Sequence, residues 1–211
     1  ATSKKGVSAL EIHRQTGLSY KSSLFLLHRI RYAMAPTDNN PLTGTVEIDE
    51  TYIGRGAPGS MGRNLSGNKS AVLAMVERGG KVRSMVVPSV TSRTLKTAIR
   101  DNVDRRARIM TDELRSYHGL GHEFASHETV RHGAGEYVRG DVYTNSVESY
   151  FGLLKKGITG IYHSVSKKHL HRYLAEFEFR FNARHLMDGE RTVAAIQAAD
   201  GKHLPYRDPV K

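Results

Sequence analysis

Apolar positions recur at helical spacing in two short runs near the start of the chain. Ser8 and Glu11 form a capping box, in which each side chain can satisfy a free amide of the first turn. Leu10, Ile12 and His13 follow before Gly17-Leu18-Ser19 interrupts, with Gly17 suited to a left-handed C-terminal position. Ser19 can cap a second run, where Leu24, Leu27, His28 and Arg31 step along with Leu26 and Ile30, an apolar stripe beside a basic one. Residues 8–34 therefore predict a helix-turn-helix, with a plain αα-hairpin packed on the main domain as the alternative.

The stretch from Ala35 to Gly44 is polar, holds Pro36 and Pro41 and has no period, so the linker is assigned to residues 36–43. A strand is predicted over Thr45–Ile53. The glycine-rich, basic loop 54–69 follows, and it lacks the Gly-Lys-Ser/Thr ending of a phosphate loop. Two apolar runs, Ser70–Glu77 and Lys81–Val87, flank Gly79-Gly80 and predict a hairpin. A helix over Ser92–Val103, a strand over Ala107–Thr111 and a weaker strand over Glu128–Arg131 come next. From Thr144 on the pattern is helical, over Asn145–Lys156, Lys167–His185 and Thr192–Ala199. The fold class is α/β: a mixed sheet flanked by helices over residues 44–211, preceded by a small helical segment over 1–35.

Composition narrows the classes. With 211 residues, 38% hydrophobic and 25% charged, the chain can bury a core of ordinary size. No apolar run approaches the ~18–20 residues that span a bilayer, and the first residues lack the apolar stretch of a secretory signal. There is no cysteine, which removes disulfides and Cys-type zinc sites and agrees with a reducing cytosol. The net charge of +11, spread over every segment, favours a polyanionic partner and a broad binding surface.

Three acidic residues then stand out. Asp49 and Asp112 sit at the ends of short β-branched runs, where a strand would end and expose its last side chain. Glu148 lies on the helix over 145–156, on one face with Asn145, Gly152 and Lys155, beside the buried stripe of Val147, Phe151, Leu154 and Ile158. A solvated polar face is the bland reading of that helix. Cleavage and transfer of phosphodiesters, however, need an activated oxygen and compensation of charge on the phosphate, which two divalent ions held by a few carboxylates supply.

The segments Gly44–Gly54, Thr111-Asp112, Asn145–Gly157 and Tyr162–Leu170, with Glu176-Phe177 and Arg180-Phe181-Asn182, resemble the DDE insertion-sequence transposases. The resemblance is to the ISXO-like group, which has a ribonuclease-H-like core, and it covers nearly the whole chain. Thirty-five residues separate Asp112 from Glu148, and Lys155 follows Glu148 by seven, spacings typical of that class. The resemblance implies a five-stranded ribonuclease-H-like sheet. It also implies that Asp49, Asp112 and Glu148 bind two Mg²⁺ or Mn²⁺ ions and that Lys155 contacts DNA near the cut. Some relatives use Asn as the third member, so Asn145 is a rival or partner of Glu148 in the catalytic and metal-binding sets. Relatives also commonly carry a Cys-containing zinc ribbon ahead of the helix-turn-helix, and none lies in these residues.

The expected activity is that of a DDE-type transposase, a polynucleotidyl transferase that hydrolyses a phosphodiester at the element end and joins the freed 3′-OH to target DNA. Candidate DNA contacts are Lys155, Lys156, Lys167, Lys168, Arg55, Arg63, Lys21, Arg29 and His132. The expected partners are double-stranded DNA, as element ends and target, and further copies of the chain in a homodimer or higher synaptic assembly, with no membrane. The expected setting is the cytoplasm and nucleoid of a bacterial or archaeal cell. A nuclease or integrase on the same core, or a transposase-derived DNA-binding protein without catalysis, are the alternatives. His118, His122, His127 and His132 lack the spacing of a zinc site, and phosphate contact by His132 suits them better.

Overall fold

The computed structural model describes residues 6–54 and 69–205. Helices α1 (Ala9–Thr16) and α2 (Tyr20–Ala33) come first, followed by strands β1 (Thr45–Ile53), β2 (Ser70–Glu77) and β3 (Val82–Val87). Then come α3 (Ser92–Asn102), β4 (Arg108–Thr111), β5 (Ser126–Thr129), and the short pair β6 (Val138–Arg139) and β7 (Val142–Tyr143). The chain closes with α4 (Asn145–Gly157), a π-helical turn over Ile158–Tyr162, α5 (Leu170–Asn182) and α6 (Asp188–Gln197). Two compact units divide it: Asp38–Gly152, and Ala1–Thr37 together with Leu153–Lys211.

In the first unit the sheet order is β3-β2-β1-β4-β5. β1, β2 and β3 form an antiparallel meander, while β4 runs parallel to β1 and β5 parallel to β4. This is the mixed five-stranded sheet implied for a ribonuclease-H-like core, flanked by helices. The meander follows from the Arg78-Gly79-Gly80 turn, where Gly79 takes φ 71°, open to glycine at no steric cost. Strand β2 is buried along nearly its whole length, as its unbroken apolar run Ala71–Val76 requires of a strand covered on both faces. Val46, Ile48, Leu73 and Met75 pack with Leu95 and Ile99 of α3 and with Tyr117 in the main core. Burial there gives each large side chain about 1.5–3 kcal/mol.

In the second unit Ser8 caps α1 by accepting from the Glu11 amide at 3.1 Å, and Gly17 closes it with φ 73°. Ser19 caps α2 by accepting from the Ser22 amide. The Arg31 guanidinium of α2 donates from Nε to Glu176 of α5 at 2.8 Å, and both side chains are buried. Arg180 and Tyr162 donate to the same carboxylate.

The sequence boundaries differ from the observed ones mainly where burial is weak. β5 begins two residues earlier than expected and is half-buried throughout, so no alternation marks it. α6 begins at Asp188 instead of Thr192, because Glu190 reaches back to the Met187 amide at 2.8 Å and starts the helix across Gly189. Lys167–His169 is a 3₁₀ turn ahead of α5.

Candidate functional site

The parallel pairing of β1 with β4 sets Glu47 beside Met110. Continuing that register by two residues brings Asp49 opposite Asp112, just past the end of β4. Carboxylate oxygens of Asp49, Glu50 and Asp112 lie within 4.8 Å of one another. Asp49 is partly buried, and its carboxyl is pushed up to about 7. Burial is the main cause, and the charges of Glu50, Asp112 and Glu148 add to it, against one hydrogen bond from the Glu50 amide. Glu50 is buried and accepts from the Tyr117 hydroxyl at 2.8 Å, while Asp112 accepts from the Leu114 amide at 3.0 Å.

Oxygen donors only, three carboxylates at one point and a fourth acting on Asp49 form the donor set of a hard divalent cation. A cation there would offset the cost of ionising a buried Asp49 and relieve the repulsion that the neighbouring carboxylates add to it. The residues present fit such an ion.

Glu148 is exposed one turn into α4, and Asn145 is exposed at its first position. The Glu148 carboxylate accepts from the buried Thr144 hydroxyl at 3.1 Å, and His132 Nε2 lies 3.6 Å from the same oxygen. His132 is carried by a turn whose amides, at His132 and Gly133, both donate to Glu113 at 2.9 Å. Its ring packs on Tyr137, with centroids 5.1 Å apart.

The start of α4 is anchored to β1 by Glu47, which is fully buried. Its Oε2 accepts from the Ser146 and Val147 amides at 2.7 and 3.2 Å, two of the donors a helix N-terminus leaves unpaired. Its Oε1 accepts from the Ser146 hydroxyl at 3.1 Å and from Arg78 Nε at 2.7 Å. Arg78 in turn donates to the Asp141 and Tyr143 carbonyls and lies 3.6 Å from the Tyr143 ring centroid. Strand alternation puts Glu47 and Asp49 on one face of β1, with Glu50 on the other.

Of the residues singled out in the sequence, the structure thus brings Asp49 and Asp112 together and sets Glu148 within electrostatic reach. Lys155 and Lys156 are exposed in the last turn of α4, Lys167 and Lys168 in the turn before α5, and Lys21 and Arg29 on α2. His132 is half-buried beside Glu148. Arg55 and Arg63 lie outside the described residues. The sequence reading missed Glu50 as a third carboxylate and Glu47 as the anchor of α4. Two acidic residues flanking Asp49 in a strand otherwise meant for burial were the available signal, since a buried carboxylate demands a partner.

Comparison with known proteins bears on what this arrangement serves. The chain is 30% identical over 190 residues to a protein of transposable element ISH50 from Halobacterium salinarum, a match covering 82% of this chain and 64% of that protein. It therefore spans less than two thirds of that relative. A transposase-like protein of Haemophilus influenzae is 32% identical over 102 residues, covering 48% of this chain and 81% of its own length. Among solved structures, the crystal structure of the Mos1 strand transfer complex aligns over 95% of this chain and 75% of its own, at 12% identity and a TM-score of 0.38. The ISXO2-like transposase domain matches residues 41–182, which hold all four carboxylates of the site. The chain belongs to the family of ISXO2-like transposase domains.

Proposed function

We propose that this chain is a metal-dependent DNA transposase that hydrolyses a phosphodiester at an element end and joins the 3′-OH to target DNA. The observation that carries this reading is the meeting of Asp49, Glu50 and Asp112 within 4.8 Å, with the Asp49 carboxyl pushed up to about 7 by burial first and by the neighbouring carboxylates second. Asp49 and Asp112 hold divalent cations, Mg²⁺ or Mn²⁺, with Glu148 as the third ligand and Asn145 its rival. Two ions held by these residues would supply activation of the attacking oxygen and compensation of charge on the phosphate. Glu47 holds the start of α4 so that Glu148 meets the strand carboxylates. Thr144 and His132 fix the Glu148 carboxylate, and Lys155 neutralises a phosphate near the cut.

Residues 1–35 read sequence at the element ends as a helix-turn-helix, 36–43 lead into the catalytic domain of 44–211, and the exposed cations Lys21, Arg29, Lys156, Lys167 and Lys168 position DNA. Arg55 and Arg63 are assigned to the same task from sequence. Two ends are brought together by a homodimer or larger assembly in the nucleoid of a prokaryotic cell. The test is nicking of a supercoiled plasmid by the intact chain in Mg²⁺. Nicking that Asp49→Ala abolishes supports the reading. Equal nicking by the wild type and Asp49→Ala, or none by the wild type in either Mg²⁺ or Mn²⁺, overturns it.

A further inference from the structure

Within the unit formed by Ala1–Thr37 and Leu153–Lys211, α1, α2, the π-helical turn and the residues leading into α5 enclose a cavity of about 350 Å³. Its lining changes character with depth. Leu10 and Tyr20 are exposed and Leu24 and Ile161 half-buried, whereas Arg31 and His28 are buried. That volume lies at the small end of ligand pockets and exceeds what a bare ion needs.

The deep side carries nitrogens without a hydrogen-bond partner in the protein. Arg31 is 2% exposed, and its Nε is taken by Glu176. Its Nη1 is closed off from solvent without a hydrogen-bond partner in the protein, as are His28 Nδ1 and His169 Nδ1. The two imidazoles lie 4.8 Å apart by their centroids. Buried donors on a permanent cation are costly to leave unbonded, so such a group in a cavity wall points to an acceptor that arrives from outside.

The surroundings are cationic. His28 is pushed down to about 4 by burial first, then by Arg31, His169, Arg172 and His171. Glu176, the carboxylate that faces Arg31, is already shared among Arg31, Arg180 and Tyr162. The guanidinium is further held between Tyr162 and Tyr173, 4.9 and 4.0 Å from their centroids, which fixes the direction of its free N–H.

We propose that this cavity binds the phosphate of a nucleotide unit, with Arg31 Nη1, His28 and His169 as donors and the base against Tyr20 and its apolar neighbours. Donors from two elements converging from separate directions suit a tetrahedral oxyanion. Tyr20 offers an exposed ring of the kind on which any base stacks. The site is separate from the carboxylate cluster and does not rest on the catalytic reading.

The experiment is titration of the intact chain with inorganic phosphate, deoxyadenosine monophosphate and acetate at constant ionic strength. The readout is the side-chain ¹⁵N resonances of Arg31, His28 and His169. Phosphate is expected to shift these resonances saturably, and the nucleotide to bind at least about tenfold more tightly than phosphate, the worth of a good stacking contact. His169→Ala, at a half-buried position, and Arg31→Lys, which keeps the charge but loses Nη1, should each weaken nucleotide binding about tenfold. Shifts that do not saturate, equal binding of acetate and nucleotide, or unchanged binding in His169→Ala overturn the proposal. Should Arg31→Lys fail to fold, the wild-type resonances and His169→Ala decide alone.

Discussion

Glu47 and Ser146 are 99 residues apart in the chain and joined by two hydrogen bonds, from the Ser146 amide at 2.7 Å and its hydroxyl at 3.1 Å. Through them the strand that carries Asp49 fixes the start of the helix that carries Glu148. Glu47→Ala would leave two helix amides and the mostly buried Arg78 without their acceptor. We expect a loss of about 3–5 kcal/mol, the usual cost of removing one partner of a buried pair. Glu47→Gln, which can still accept from the amides, should lose less. Urea unfolding reads both, and an unchanged midpoint for Glu47→Ala would show that α4 is held by packing alone.

The raised Asp49 carboxyl sets a pH dependence with a definite sign. Its folded value of about 7 lies above an unfolded value of roughly 4, so its contribution favours the fold below about pH 4 and is lost as pH rises to about 7. Without divalent ions, Asp49→Asn should therefore gain stability over the wild type at pH 8 and little at pH 4. Cation binding needs the ionised form, so Mg²⁺ affinity should rise with pH up to about 7 and binding should release a proton. Calorimetry in buffers of different ionisation enthalpy measures that release, and none at pH 6 would count against Asp49 as a ligand.

Glu148 and Asn145 share one face of α4, one turn apart. A carboxylate neutralises a hard dication and an amide does not, so Glu148→Gln should slow cleavage by at least ~10²-fold at saturating Mg²⁺. Asn145→Ala should lose less. A dead Asn145→Ala beside an active Glu148→Gln would reverse the assignment.

Deleting residues 1–35 is a poor test of sequence reading, because it removes Arg31 from the buried Glu176 carboxylate. Arg29 is exposed on α2, over the Phe25 ring at 5.8 Å, and can be changed cleanly. If it contacts a base edge, Arg29→Ala should weaken binding to element ends by about 1–3 kcal/mol and leave arbitrary duplex nearly unaffected. If it contacts a phosphate, both should weaken alike and the salt slope should fall by about one. Fluorescence anisotropy across a salt series separates the two.

Much of this architecture was legible in the residues. β1 and β2 have the limits expected: the apolar run Ala71–Val76 is bounded by Ser70 and Glu77, and β1 is bounded by Gly44 and Gly54. Asp112 could be named as a candidate ligand because it lies just past the end of β4, where a carboxylate has few structural uses; Asp49, expected at a strand end, lies instead in the middle of β1. Their opposition was not legible, since it depends on a parallel register between residues more than 60 positions apart, which no local pattern encodes. Glu50 was hidden for a related reason: alternation assigns it to the far face of β1, and its bond from the Tyr117 hydroxyl, 67 residues away, is not visible in the sequence. The β6–β7 pair, two residues each, is too short to carry any period.

Arg31 and Glu176 are 145 residues apart in the chain. At 5–20 residues per second, the guanidinium leaves the ribosome roughly 7–29 s before the carboxylate that neutralises it. Asp38–Gly152 is contiguous and can close while the rest is still being made, whereas α1 and α2 must wait for α5. Newborn chains therefore pass through an interval in which the sheet is complete and its carboxylates assembled, but the N-terminal helices have no docking partner. The contacts that seat α1 and α2 on α5 therefore form only after nearly the whole polypeptide has been made.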